Sequence, residues 1–152
     1  MRWKPHVTVA AVVEQDGKFL LVEEKIRNEL LLNQPAGHLD ANESLIDAVI
    51  RETLEETAWE FLPESLVGIY QWQVPKQPEK VYIRFTFSGS VANFDADREL
   101  DTPIVRTIWS SYEDIVNSQN RHRSPQLLRC VDDYRAGVRI PLSSVVEVKN
   151  HT

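Results

Sequence analysis

Between Gly37 and Trp59 the chain reads GHLDANESLIDAVIRETLEETAW, a stretch rich in acids at helical spacing. On a wheel of about 100° per residue with Leu45 at zero, Glu52, Glu55 and Glu56 fall near 340°, 280° and 20°. Leu45, Ile46, Val49, Ile50 and Leu54 cover roughly 0° to 180°. Three carboxylates therefore share one ridge, and Glu56 stands at the border of the apolar stripe, where desolvation penalises a lone negative charge. Glu52 and Glu56 also repel as an i,i+4 pair, at a cost of roughly 0.2 to 0.5 kcal/mol. A hard divalent cation with oxygen ligands offsets both penalties. Mg2+ typically takes a few carboxylates and completes its sphere with water and substrate phosphate oxygens. The plainer reading is a solvated acidic face, with Arg51 and Glu55 paired one turn apart and no metal.

The elements that must position this ridge follow from periodicity. Val7 to Val13 is β-branched and apolar, Asp16-Gly17 signals a turn, and Lys18 to Glu23 resumes the run, which predicts a strand pair. A short strand is expected at Leu30 to Asn33, then a helix from Asn42 to Thr57, with Pro63 barring its continuation. Leu66 to Gln73 and Val81 to Ser88 read as strands joined by a loop holding Pro75 and Pro78. Ile104 to Trp109 is a further strand. Ser111 to Asp114 has the residues of a helix start, and Ser124-Pro125 and Gly137 frame a last helix. This order predicts an α+β domain with a mixed sheet packed by helices.

Composition narrows the function classes. With 152 residues, 42% hydrophobic and 26% charged, one domain spanning 1–152 is expected. Lys and Arg number 17 against 23 Asp and Glu, a formal charge of −6, which argues against a nucleic-acid polymer or an anionic membrane as partner. Only seven apolar-leaning residues precede Glu14, too few for a signal or a span. One cysteine, Cys130, rules out an intrachain disulfide and points to the cytoplasm. The four histidines show no zinc spacing, and neither GxxxxGK[ST] nor GxSxG occurs.

Gly37, Glu43, Arg51, Glu52, Glu55 and Glu56 reproduce in order and spacing the box G-x5-E-x7-R-E-U-x-E-E-x-G-U, where U is a bulky aliphatic residue. The chain thus resembles the Nudix hydrolases. Thr53, Ala58 and Trp59 depart from the pattern without removing a carboxylate. Lys4 to Val9, Asn33 to Leu39, Gln71-Trp72, Arg84-Phe85, Arg123 to Pro125 and the run from Tyr134 to Pro141 are similar to a bacterial phosphatase branch of that family. The resemblance implies an α/β/α sandwich and Mg2+, with Mn2+ as the substitute. It also implies a small phosphorylated substrate bound by a monomer: nucleoside tri- or diphosphates and the pyrophosphate of the thiamine pyrimidine, with phosphate released.

It further implies that the Gly37 carbonyl, Glu55 and Glu56 hold the cation, with Glu52 as base or as another ligand. Glu43 and Arg51 become structural partners, by simple capping and surface pairing or by orienting the catalytic acids. Relatives carry another carboxylate ahead of a later strand; here Asp101 or Glu99 substitutes, or the ligand is missing. Arg84 reaches a phosphate in the cleft or lies solvated on an edge strand. Trp72 and Tyr70 stack on a substrate ring or belong to the core. Gln34, His38 and His6 make polar contacts to substrate or ordinary structural hydrogen bonds. The alternatives to an enzyme are a sensor that binds a nucleotide or pyrophosphate without turnover, and a structural adaptor.

Overall fold

The computed structural model describes residues 2–151. Strand β1 (His6–Gln15) and strand β2 (Lys18–Ile26) meet across Asp16-Gly17. Both turn residues have positive φ, 52° and 77°, as a tight two-residue hairpin requires. The two strands pair only beside the turn, at Glu14 with Phe19 and Gln15 with Lys18, and then splay apart. Over its first half β1 lies between β4 (Ala36–His38), antiparallel to it, and β6 (Val81–Ala92), parallel to it, and β6 pairs in turn with β5 (Glu60–Gln73). β2 lies between β3 (Glu29–Asn33) and β7 (Ile104–Ser111). The short β8 (Ile140–Pro141) extends β5.

Splaying gives β1 two interiors. Val9, Ala11 and Val13 pack with Leu20, Phe61 and Phe87 against Ala48 and Val49 of helix α1 (Leu45–Thr57). Val12 packs with Phe19, Leu21 and Leu32 against Ile115 of α2 (Tyr112–Asn117) and Leu127 and Val131 of α3 (Gln126–Arg135). Strand alternation thus feeds two apolar layers with helices outside both, the α+β sandwich expected. No helix among the described residues is long and apolar enough to cross a membrane.

Several boundaries differ from expectation. Helix α1 starts at Leu45, because Ser44 caps it by accepting from Asp47 N at 3.0 Å and Asn42 is left-handed at φ 67°. β5 begins at Glu60 and carries Pro63 inside it, at a register shift between Pro63 and Ser65 where a strand tolerates proline. The short β4 and β8 carry too few residues for a periodic signal. The buried face of α1 is Ala48, Val49, Thr53, Glu56 and Thr57, whereas Leu54 is only partly covered. It is therefore rotated from the wheel's apolar arc toward the acidic ridge.

The three departures from the box are absorbed. Thr53 is fully buried, Ala58 adopts the left-handed exit at φ 63°, and its N–H bonds Leu54 O at 2.9 Å. Trp59 packs on Phe94 and Trp109. Since Ser44 satisfies a donor that has no helical partner, Ser44→Ala should cost about 1 kcal/mol. Thermal unfolding should show a midpoint roughly 2–4 °C lower.

Candidate active site

A cavity of about 460 Å³ opens between α1, the β4 turn and the ends of β1, β2 and β6, and Glu52, Glu56, Glu24 and Asp101 contribute acids to its wall. Glu56 is 8% exposed and accepts from Ala36 N at 2.9 Å. Burial, reinforced by the charges of Glu24, Glu52 and Asp101, pushes its carboxyl up to about 9 against the opposing Ala36 N–H. Burial likewise raises Glu52, with Arg51 opposing and Glu55 and Asp101 adding to the rise. Gly37 sits against that carboxylate so closely that a Cβ there would lie 2.1 Å from Glu52 Cδ.

Arg51 organises the rest. Its Nε donates to Glu43 Oε2 at 3.0 Å and its Nη2 to Glu43 Oε1 at 2.7 Å, a two-pronged pair. Nη2 also donates to the His38 carbonyl at 3.0 Å, and Nη1 to Glu52 Oε1 at 2.9 Å and Glu55 Oε1 at 3.1 Å. Held this way, the Glu43 carboxyl lies below its ordinary value, with Arg51 as the main cause. Asp101 N donates to Glu55 O at 3.0 Å, which ties the segment before β7 to the end of α1.

The remaining predicted residues divide. Arg84 is on β6 between β1 and β5, 6% exposed, which corrects the solvated-edge alternative. It lines the cavity, and its Nη1 donates to Gln34 Oε1 at 3.0 Å. Gln34 is buried behind it, outside the cavity wall. Trp72 lines the cavity and stacks on Tyr82 at 6.0 Å between ring centroids. Tyr70 instead faces a neighbouring hollow, and its hydroxyl donates to Asp133 at 2.8 Å. His38 lines the cavity and meets His6 at 3.3 Å, while Glu99 is exposed away from it.

Glu24 and Arg123, an ion pair within the cavity wall, were not anticipated as site residues. Glu23 and Glu24 end the buried run of β2, and a shift in register against β7 between them lets both be buried. Two acids closing an apolar strand, matched to distant arginines, were the available signal.

The donor set suits a hard divalent cation: buried carboxylate oxygens, two of them raised by confinement, beside the main chain of a glycine. Among the described residues no three acidic, histidine or cysteine side chains converge on one coordination sphere, since Arg51 draws Glu52 and Glu55 toward itself. Glu52 Oε2 and the Glu56 carboxyl keep the chemistry a cation needs, whereas both Glu55 oxygens accept from Arg51 Nη1, at 3.1 and 3.5 Å, and Glu55 is not part of the cavity lining.

This geometry on the box from Gly37 to Glu56, with a match to the NUDIX domain over residues 4–130, places the chain in the Nudix hydrolase family. Those enzymes act on small phosphorylated substrates with divalent metal ions. The chain is 39% identical to phosphatase NudJ of Escherichia coli strain K12 over 143 residues, 94% of this chain and 92% of that one. A NUDIX hydrolase structure from Nitrosomonas europaea superposes with TM-score 0.92 at 53% identity, covering 95% of this chain and 98% of the other. The MutT protein of Methanosarcina mazei Go1 does so with TM-score 0.68 at 26% identity, over 90% and 98%.

A raised carboxyl makes stability fall with pH. The folded state keeps the Glu56 proton above the ordinary 4.5 at which the unfolded chain releases it, so the contribution is full below 4.5 and is lost as pH rises toward about 9. Metal-free protein should therefore melt at progressively lower temperature from about pH 5 to pH 9, and Glu56→Gln should flatten that decline.

Proposed function

We propose that this chain is a Mg2+-dependent phosphohydrolase that cleaves phosphoanhydride bonds of nucleoside tri- and diphosphates and of the thiamine pyrimidine pyrophosphate, releasing phosphate. The observation that carries the reading is Glu56, buried among other acids with its carboxyl pushed up to about 9. Such a site favours a cation that displaces the proton. Mn2+ would serve the same ligands. The similar protein NudJ of Escherichia coli is named a phosphatase, which supports release of phosphate.

Glu55, Glu56 and the Gly37 carbonyl would hold the ion, with Glu52 beside them. Bound there, magnesium supplies neutralisation of phosphate oxygens and polarisation of the phosphorus. Glu52, raised by burial and bonded by Arg51, would take a proton from the attacking water or serve as a further ligand. Arg51 positions both Glu52 and Glu55. Arg84, which Gln34 keeps from rotating, offers its guanidinium to the phosphate chain, and Trp72 offers a ring face to the organic group. Tyr70, committed to Asp133, is left out of the substrate contacts.

We further read the chain as a single catalytic domain acting as a cytoplasmic monomer, in keeping with its lone buried thiol, Cys130. Phosphate release from a nucleotide panel with Mg2+ tests the activity. Glu52→Gln and Glu56→Gln should each lower kcat by at least about a hundredfold. Turnover that survives in both variants would sink the reading. Pyrophosphate rather than phosphate from a triphosphate would correct the bond attacked. Gly37→Ala should displace the Glu52 carboxylate and reduce kcat/KM by roughly a hundredfold, while circular dichroism stays that of the parent.

A further inference from the structure

Glu23 and Glu24 stand side by side on β2, both buried, and arginines treat them differently. Glu23 is not part of the cavity lining and has both oxygens taken, Oε1 by Arg106 Nε at 3.0 Å and Oε2 by Arg121 Nη2. Glu24 lines the cavity and has only Oε2 taken, by Arg123 Nη1. A buried ion pair made for stability alone needs its remaining oxygen satisfied, as it is in Glu23.

Glu24 is 4% exposed, yet among the described residues nothing bonds its Oε1, and that oxygen is not closed off from solvent. Glu56 Oε2 is in the same condition, in a residue 8% exposed. The two carboxyls also act on each other. Burial is the largest cause of the raised Glu56 carboxyl, and among the charges that add to it Glu24 leads, ahead of Glu52 and Asp101. Two buried acids, each with one open and unbonded oxygen, repel unless a cation joins them.

Arg123 is held loosely by comparison. Its N donates to Leu32 O at 2.8 Å, which anchors the backbone, while its side chain is 42% exposed and makes one hydrogen bond. The guanidinium can therefore swing without moving the chain. Burial is the main cause that lowers the His38 imidazole, and the Arg123 charge is among those that add to it, so the guanidinium already reaches the cavity wall. Once freed there, it pairs with a phosphate oxygen by the same chemistry that holds it to a carboxylate.

We propose that Glu24 is a further ligand of the divalent ion, and that Arg123 competes with the ion for Glu24 and turns to a phosphate oxygen of the substrate when displaced. Ion and substrate then bind in concert, because the first frees the side chain that the second needs. The part played by Arg123 rests on the proposed function, which brings a phosphate chain into this cavity.

Titration of the full chain with Mn2+ alone, followed by the loss of the free-ion paramagnetic resonance signal, tests this. Glu24→Gln should weaken Mn2+ binding at least about tenfold, because a carboxylate ligand becomes a neutral amide. Arg123→Met should instead strengthen it at least about threefold, because a competing charge is gone. A pair that merely staples β2 gives no such opposition of sign. With saturating Mg2+, Arg123→Met should raise KM for ADP at least about tenfold and leave kcat within about threefold, and Arg123→Lys should recover part of the loss.

Mn2+ affinity unmoved by Glu24→Gln, or weakened by Arg123→Met in protein whose circular dichroism matches the parent, overturns the proposal. So does a KM indifferent to Arg123→Met. The sign of the Arg123→Met titration decides alone if Glu24→Gln does not fold. Mn2+ binding with these opposite signs but no nucleotide cleavage would keep Glu24 as a ligand and remove the proposed function, and ADP affinity would then replace KM as the readout for Arg123. Cleavage with Mn2+ binding indifferent to Glu24 would do the reverse.

Discussion

A carboxylate held out of water beside other carboxylates is the constraint on which the rest of the molecule depends. Glu56 accepts a hydrogen bond from Ala36 N, while the guanidinium of Arg51 goes to Glu43, Glu52 and Glu55. Among the described residues no side-chain cation forms a salt bridge with this deepest acid, so its charge is balanced by a mobile cation or suppressed by a proton. That unresolved electrostatic condition distinguishes this helix from a decorative acidic face, where exposed glutamates titrate as they would in water.

The fold maintains the condition by holding the acids from several directions. Ala48 and Val49 anchor α1 in one apolar layer, so its ridge cannot roll outward to hydrate Glu56. β4 brings the Ala36 N–H and the bare Cα of Gly37 against the helix. β2 adds Glu24, and the segment before β7 adds Asp101 through its bond to Glu55. The second apolar layer seats α3, whose first residue, Gln126, borders the same cavity.

Much of this was legible in the residues, and what escaped did so for physical reasons. The alternation in β1 and β6, the Asp16-Gly17 turn and the spacing of the acids are local properties, and local chemistry produces them. The start of α1 was misplaced because Asn42 and Ser44 are both cap-type residues, and only the bond from Asp47 N selects Ser44. Arg84 was ambiguous because alternation shows which face a residue takes but not whether its strand is central. Glu24, Arg123 and Gln126 join the cavity through pairings distant in the chain, which no spacing rule reports. Tyr70 and Trp72 look equivalent in β5, yet α3 claims one through Asp133 and leaves the other at the cavity.

The arrangement around Arg51 also bears on how this chain can vary over evolutionary time. One guanidinium must reach the His38 carbonyl and Glu43 on the loop together with Glu52 and Glu55 on its own helix. Lengthening or shortening the helix by one residue ahead of Arg51 would turn Arg51 and the downstream acids by about 100° relative to the loop and break the bonds to Glu43 and the His38 carbonyl. Divergence between residues 37 and 56 is thus confined to exchanges of side chain at constant length. The exposed turn around Pro75 to Pro78, which touches none of this network, is free to gain or lose residues.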